Sequence, residues 1–378
     1  MITLRMLSMV LTSAAFSATT GAIAHAETAT YVYVSNAGDG TISQFKLDQN
    51  DGTLTSLGEV EAGQMVMPMA ISPDRRYLYA AVRSKPYRVV SYLIDADTGA
   101  LKPMAQAPLA DSMAYISTDK TGRYLFAASY GGDIISVNAI GPQGFVLDPP
   151  LQVAQTGRHA HSILPDLSNR FVYVGSLGVD RVLQFSFDEK TGALTPIGTG
   201  YVTAPKGSGS RHVALSPDNR YLYVLGELLG TVTPYAIDPA TGALTEKQSV
   251  SSVPASWNFH PGVMDATEQD PSPRIWAADI RVSPNGRYVY TTERTSSTVS
   301  TFRADPATGT LTYVGNVDVE KQPRGINLDP QGKYLIVSGE KSDHIGVYAL
   351  DPETGMPKAL AKYPVGKGAN WIEVVQFN

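Results

Sequence analysis

The chain has 378 residues, 43% hydrophobic and 17% charged, a globular composition long enough for two average domains or one large all-β array. Its formal charge of −5, with no clustered basic run, excludes nucleic acid as a partner, because phosphate binding needs a concentrated basic surface. Cysteine is absent, which excludes a disulfide framework, a zinc–thiolate site and a cysteine nucleophile.

Residues 1–26 read as a cleavable signal peptide. Arg5 supplies the positive start, and Leu7 to Phe16 form an apolar stretch too short to span a bilayer. Ala24-His25-Ala26 is a small-x-small cleavage site before Glu27. Cleavage after Ala26 predicts a periplasmic or secreted protein that is not held in the membrane, with residues 27–378 as its folded part.

From Tyr31 onward one motif recurs seven times, an aromatic followed by a short β-forming run: Tyr31-Val-Tyr-Val, Tyr77-Leu-Tyr-Ala, Tyr124-Leu-Phe-Ala, Phe171-Val-Tyr-Val, Tyr221-Leu-Tyr-Val, Tyr288-Val-Tyr-Thr and Tyr334-Leu-Ile-Val. The spacings are 46, 47, 47, 50, 67 and 46 residues. A turn of the Ser-Pro-Asp type precedes the aromatic, clearest at Ser72, Ser216 and Ser283; proline presets φ and Asp or Asn closes the turn. A second alternating run follows, then a second turn such as Asp95-Ala-Asp-Thr-Gly-Ala-Leu or Asp238-Pro-Ala-Thr-Gly-Ala-Leu. The third repeat has Gly141-Pro142-Gln143-Gly144 in its place. Each unit therefore reads as four short antiparallel strands, A to D, the size of one propeller blade. The first repeat lacks an A strand, and the chain ends on an unpaired one at Trp371 to Val375. Pairing that strand with Tyr31 to Val34 predicts an all-β, seven-bladed propeller closed by its N- and C-terminal strands, with no open sheet edge.

The repeat also predicts where chemistry sits. Strand A starts and strand B ends on one face of the ring. Ten residues before the anchor aromatics stand Met67, Ala114, His161, Arg211, Ala278 and Arg324. Six residues after them stand Ala37, Arg83, Tyr130, Leu177, Glu227, Arg294 and Glu340. His159, His212, Asp279, Arg281 and Glu293 adjoin these positions. One channel mouth should thus gather arginines, histidines and carboxylates, the default ligand site of a propeller. Residues i and i+2 of a strand face the same way, so His159 and His161 are expected to reach one point. No third ligand stands at metal spacing, so no metal is expected there. The long gap between the fifth and sixth anchors holds an excursion, Ser251 to Trp276, which carries Trp257 and His260 and starts near the same mouth; such loops tend to be functional or disordered.

There is no phosphate-cradling glycine loop, nucleophile elbow or dinucleotide fingerprint. Arg, His and carboxylates remain, a set suited to hydrolysis of an activated ester or lactone. A base draws a proton from water and a guanidinium stabilises the developing oxyanion.

At these residues the chain resembles the seven-bladed propeller lactonases, which include bacterial propeller-type 6-phosphogluconolactonases and fungal carboxy-muconate lactonizing enzymes. The resemblance is carried by His159-Ala-His161-Ser, Gly178-Val-Asp180-Arg181, Ser210-Arg211-His212, Gly226-Glu227-Leu228, Ala278-Asp279-Ile280-Arg281, Glu293-Arg294 and Gln322-Pro323-Arg324-Gly325. It implies a cofactor-independent sugar lactonase with Glu227, Arg211, Arg294 and His161 as catalytic residues. His159, His212, Arg324, Asp279, Arg281 and Glu340 would then complete the substrate site. Family members usually show Glu and His where Asp279 and Arg281 stand, Asn where Gly226 and Glu293 stand, and Gln where Glu340 stands. Two other readings stay open: a non-catalytic propeller binding a protein or saccharide, and a muconate-type lactonizing enzyme. The expected partner is a small sugar lactone, and the expected state is a monomer.

Overall fold

The computed structural model describes residues 28–264 and 273–377. The signal-peptide reading of residues 1–26 lies outside the described residues, as does the segment 265–272 of the long excursion.

Seven antiparallel sheets follow one another around the ring. Blade 1 takes Ala29–Asn36, Thr41–Leu47 and Leu54–Glu61 from the start of the chain, and its innermost strand, Ala369–Phe377, from the end. The register pairs Tyr31 with Val375, Val34 with Ile372 and Ser35 with Trp371, so the expected closure is formed as read. Blades 2 to 7 begin with the inner strands Val66–Ile71, Met113–Thr118, Ala160–Pro165, Ser210–Leu215, Ala277–Val282 and Pro323–Leu328.

The strand pattern follows from radial position. In blades 2 to 7 the second strand, for example Tyr77–Val82 or Tyr221–Gly226, is buried at every residue, because both of its faces pack against neighbouring blades. That is why the anchor motif is a continuous apolar run, not an alternating one. The outermost strands are mostly exposed, as at Leu54–Glu61 and Leu101–Pro108.

The two repeated signals are partners in one contact. The turn glycine of each blade packs on the anchor aromatic of the blade before it: Gly99 on Tyr31, Gly192 on Tyr124, Gly242 on Phe171, Gly309 on Tyr221, Gly355 on Tyr288 and, closing the ring, Gly52 on Tyr334. Gly99 has φ +73°, and a Cβ there would run into the Tyr31 ring. Hydrogen bonds tie the same seam, with the Tyr31 hydroxyl donating to the Asp97 carbonyl at 2.7 Å and Tyr33 to Gly99 at 2.8 Å. The third blade keeps the contact although its turn sequence differs. Its Gly144 packs on Tyr77 as the others do, although its outer strand is reduced to Gln152–Gln155.

Candidate active site

The inner strands are not regular where they open the channel. In blades 4 to 7 their pairing shifts register between Ala160 and Ser162, Ser210 and Val213, Ala277 and Ile280, and Pro323 and Gly325. The residues inside those irregularities are His161, Arg211 with His212, Ala278 with Asp279, and Arg324. A bulge re-aims the side chains it contains, and here it tips them toward the channel. Opposite them, Arg83, Tyr130, Glu227, Arg294 and Glu340 each follow directly on the end of a second strand.

Beside these residues a cavity of about 820 Å³ opens at one mouth, within the usual range for a small-molecule site. Its lining includes Arg83, Tyr130, His161, Glu227, Arg294, Gln322, Arg324 and Lys341. The long excursion supplies a further wall, Gly262 to Met264 and Pro273 to Trp276.

Glu227 is the organising group. One oxygen accepts from Arg211 Nε at 2.6 Å. The other accepts from Trp276 Nε1 at 2.9 Å and pairs with Arg294 Nη2 at 3.0 Å. Burial alone would raise its pKa, but the Arg294 and Arg211 charges outweigh burial and hold it below the usual carboxylate range. Arg211 is 1% exposed and also donates to the Ala278 carbonyl. Arg294 donates to the carbonyls of Trp276 and Ala277 and lies over the Trp276 ring, 3.7 Å from its centroid. Arg324 pairs with Glu340 at 2.9 Å, and Gln322 donates to the other oxygen of that carboxylate.

Positive charge is in excess at this mouth. Burial draws Arg211 down to about 9, with Glu227 resisting and Arg294 and Arg324 adding to the fall. Burial and then the charge of Arg324 bring Arg83 down to about 10. A bound negative charge would relieve the repulsion among these guanidiniums.

The expected pairing of His159 with His161 is not what forms. His159 precedes the strand with φ +64°, in the left-handed region, so the two-residue alternation does not apply to it. It stacks flat on Tyr130 at 4.0 Å, and its Nδ1 meets the Tyr130 carbonyl at 2.9 Å. His161 lines the cavity, its ring edge-on to Tyr130. His212, Asp279 and Arg281 sit deeper in the channel and are absent from the cavity wall: His212 Nδ1 is 2.9 Å from Asp279 Oδ1, and Arg281 Nη2 is 3.5 Å from Asp279 Oδ2. Glu293 is buried and receives the Trp276 and Ser296 amides, tying the excursion to blade 6. His260 and Trp257 belong to the excursion's own packing, His260 bridging to Arg274 and Trp257 leaning on Phe259. Among the described residues no group of three or more His, Asp or Glu is arranged to hold a metal.

Trp276, the last residue of the excursion, stands just ahead of a strand, and its one signal in the sequence is an aromatic at the mouth end of an inner strand. Arg83 and Tyr130 were visible at symmetric offsets. Glu373 was not: it lies on the closing strand, accepts from Trp371 Nε1 at 2.8 Å, and is raised by burial to about 7.

A closed seven-bladed ring with one cationic mouth and a carboxylate clamped between arginines defines a propeller with its candidate site at one end of the channel. A family described as "Lactonase, 7-bladed beta-propeller" matches residues 28–374. Over 91% of the chain and 98% of the relative, the sequence is 41% identical to a 6-phosphogluconolactonase of Serratia proteamaculans. A 6-phosphogluconolactonase of Erwinia tasmaniensis is 38% identical over 91% of the chain and 98% of its own length. A periplasmic gluconolactonase of Pseudomonas aeruginosa superposes with a TM-score of 0.80 at 25% identity, covering 92% of this chain and 99% of its own. The chain belongs to the seven-bladed β-propeller lactonase family. Its activity is that of a 6-phosphogluconolactonase-like lactone hydrolase.

Proposed function

We propose that the protein opens a sugar aldonolactone at the arginine-lined mouth, with His161 as the base and Arg294 and Arg324 gripping the carbonyl oxygen and the carboxylate that replaces it. The observation that carries this reading is Glu227, bound by Arg211, Arg294 and Trp276 at the wall of a cavity that His161 and Arg324 share. With both oxygens engaged by Arg211, Arg294 and Trp276, Glu227 is poorly suited to take a proton. It serves instead to hold two guanidiniums in place, with Arg211 beneath it. His161 is neutral, because burial and then the charges of Arg211, His212 and Arg324 keep its pKa well below 6.5. Water attacks the carbonyl carbon, and its proton passes to His161. The oxyanion draws the arginine N–H groups closer, the ring C–O bond breaks, and the ring oxygen takes up a proton.

The excess of cations favours substrates that carry negative charge. Both the unphosphorylated and the phosphorylated gluconolactone are therefore expected to open, the phosphorylated one with the lower KM. The pattern of residues 1–26 supports export, where the unphosphorylated lactone is the available form, and a ring closed within one chain supports a monomer. The test is proton release on a lactone panel against a buffer blank, with and without chelator, because lactones also open spontaneously. Rates equal to the blank for every lactone would overturn the reading and favour a binding propeller. Size-exclusion chromatography of the mature protein checks the monomer.

A further inference from the structure

Below the cavity, two buried histidines face each other with one ring nitrogen each left over. His161 and His212 have ring centroids 5.1 Å apart, and both are at most 5% exposed. His161 Nδ1 and His212 Nε2 are buried without a protein partner. A buried polar atom without a partner is costly, and two of them on neighbouring rings point to one shared water. On its far side His212 is tied down, its Nδ1 2.9 Å from Asp279 Oδ1. Asp279 is in turn fixed by the backbone N–H groups of Ile280 on Oδ1 at 2.9 Å and Ile326 on Oδ2 at 3.0 Å, drawn from blades 6 and 7.

We propose that His212 and Asp279 are positioning residues for the hydrolysis, setting the tautomer of His161 through a water held between the two imidazoles. The inference rests on the reading of His161 as the base. Its direction follows from the donors. Asp279, as a carboxylate, can only accept, so His212 carries its proton on Nδ1 and offers a lone pair at Nε2. The bridging water donates to that lone pair and accepts from His161 Nδ1–H. His161 is left with an unprotonated Nε2, the nitrogen that remains to face the cavity it lines. A proton taken from the attacking water thus arrives at Nε2. The resulting imidazolium is stabilised through the chain by the Asp279 charge, and the proton is returned to the ring oxygen as the C–O bond breaks, with no net change on the protein.

The surroundings agree with this protonation pattern. Burial and then Arg211 press His212 down to about 3, so it is neutral between turnovers. Burial would raise Asp279, but Arg281 and the His212 hydrogen bond outweigh it and bring it to about 2, so it stays ionised. The other groups facing the pair are Tyr115 and Trp371, edge-on to His212, and Glu373 beside Arg281. A chain of this kind need not be announced by a motif: His161, His212 and Asp279 come from three different blades.

The experiment uses two variants of the mature protein, Asp279→Asn and His212→Phe, and the pair combined. An amide at 279 can turn a donor toward His212 and reverse the whole chain, as replacing the carboxylate of a His–carboxylate pair does generally. Phenylalanine removes the chain while keeping the ring against Tyr115 and Trp371. Imidazole nitrogen NMR should show His161 as the Nδ1–H tautomer in the wild type and lose that signature in each variant. Each variant should lower kcat roughly a hundred-fold with KM little changed, and the double variant should be no worse than either single one, because the residues act as a unit. A wild-type His161 carrying its proton on Nε2, additive losses, or a variant with unchanged tautomer and kcat would overturn the inference. If Asp279→Asn does not fold, His212→Phe decides alone. If no lactone opens, the reading of function fails while the NMR signature still stands or falls by itself; lactone opening with an indifferent tautomer fails this inference only.

Discussion

The two faces of this ring use the same repeat to opposite ends. On one face every blade presents the same seam, an anchor aromatic capped by a turn glycine from the next blade, and the third blade keeps the contact although its turn sequence has changed. On the mouth face the residues change from blade to blade, and only blades 5 and 7 share an Arg–Glu pair, Arg211 with Glu227 and Arg324 with Glu340. His161, Arg211, Asp279 and Arg324 stand at bulged starts of successive inner strands, with Glu227, Arg294 and Glu340 just past the ends of the partners of the last three. Where the repeat is kept it encodes the fold, and where it varies it encodes the site.

The comparison can be broken most directly at Glu227. Glu227→Gln leaves Arg211 buried with its charge uncompensated, which should cost about 3–5 kcal/mol of stability. It should also lower kcat/KM at least a hundred-fold; urea unfolding and the lactone assay read the two effects. Arg211→Lys should lose roughly a hundred-fold in kcat/KM and behave almost like Arg211→Ala, because an ammonium cannot span Glu227 and the Ala278 carbonyl as the fork does. Neither change should disturb the seams.

The opposite outcome is expected on the other face. Gly99→Ala forces a Cβ against the Tyr31 ring from a left-handed backbone, costing about 1–3 kcal/mol. Thermal unfolding should fall while kcat/KM of the folded protein is unchanged. Trp276→Phe keeps the ring under Arg294 but removes the donor to Glu227, worth about 1 kcal/mol. A several-fold loss of kcat/KM is the expected reading.

The smallest effect belongs to Glu373 in the channel. Burial is the main cause of its rise to about 7, with Arg281 and the Trp371 hydrogen bond opposing it. The folded state therefore holds a proton that the unfolded chain gives up near the ordinary carboxylate value. That contribution is fully present below the unfolded pKa and is lost as pH rises through about 7. Glu373→Gln should accordingly gain in melting temperature relative to wild type between pH 5 and pH 8, with little difference at the lower end.

What was legible in the sequence was whatever is local and repeated. Ser-Pro-Asp and Thr-Gly turns set the strand count, the anchor runs marked the buried second strands, and the missing first strand disclosed the closure. Equal offsets from the anchors also brought His161, Glu227, Arg294 and Arg324 to one mouth, because a closed ring repeats its geometry with its period. Contacts that depend on departures from that geometry were decided only in three dimensions. The left-handed backbone at His159 broke the alternation that would have paired it with His161. Arg294 and Trp276 reach Glu227, and His212 reaches Asp279, from other blades or from a loop of irregular length, so these pairings are a matter of distance across the ring, which no spacing along the chain records.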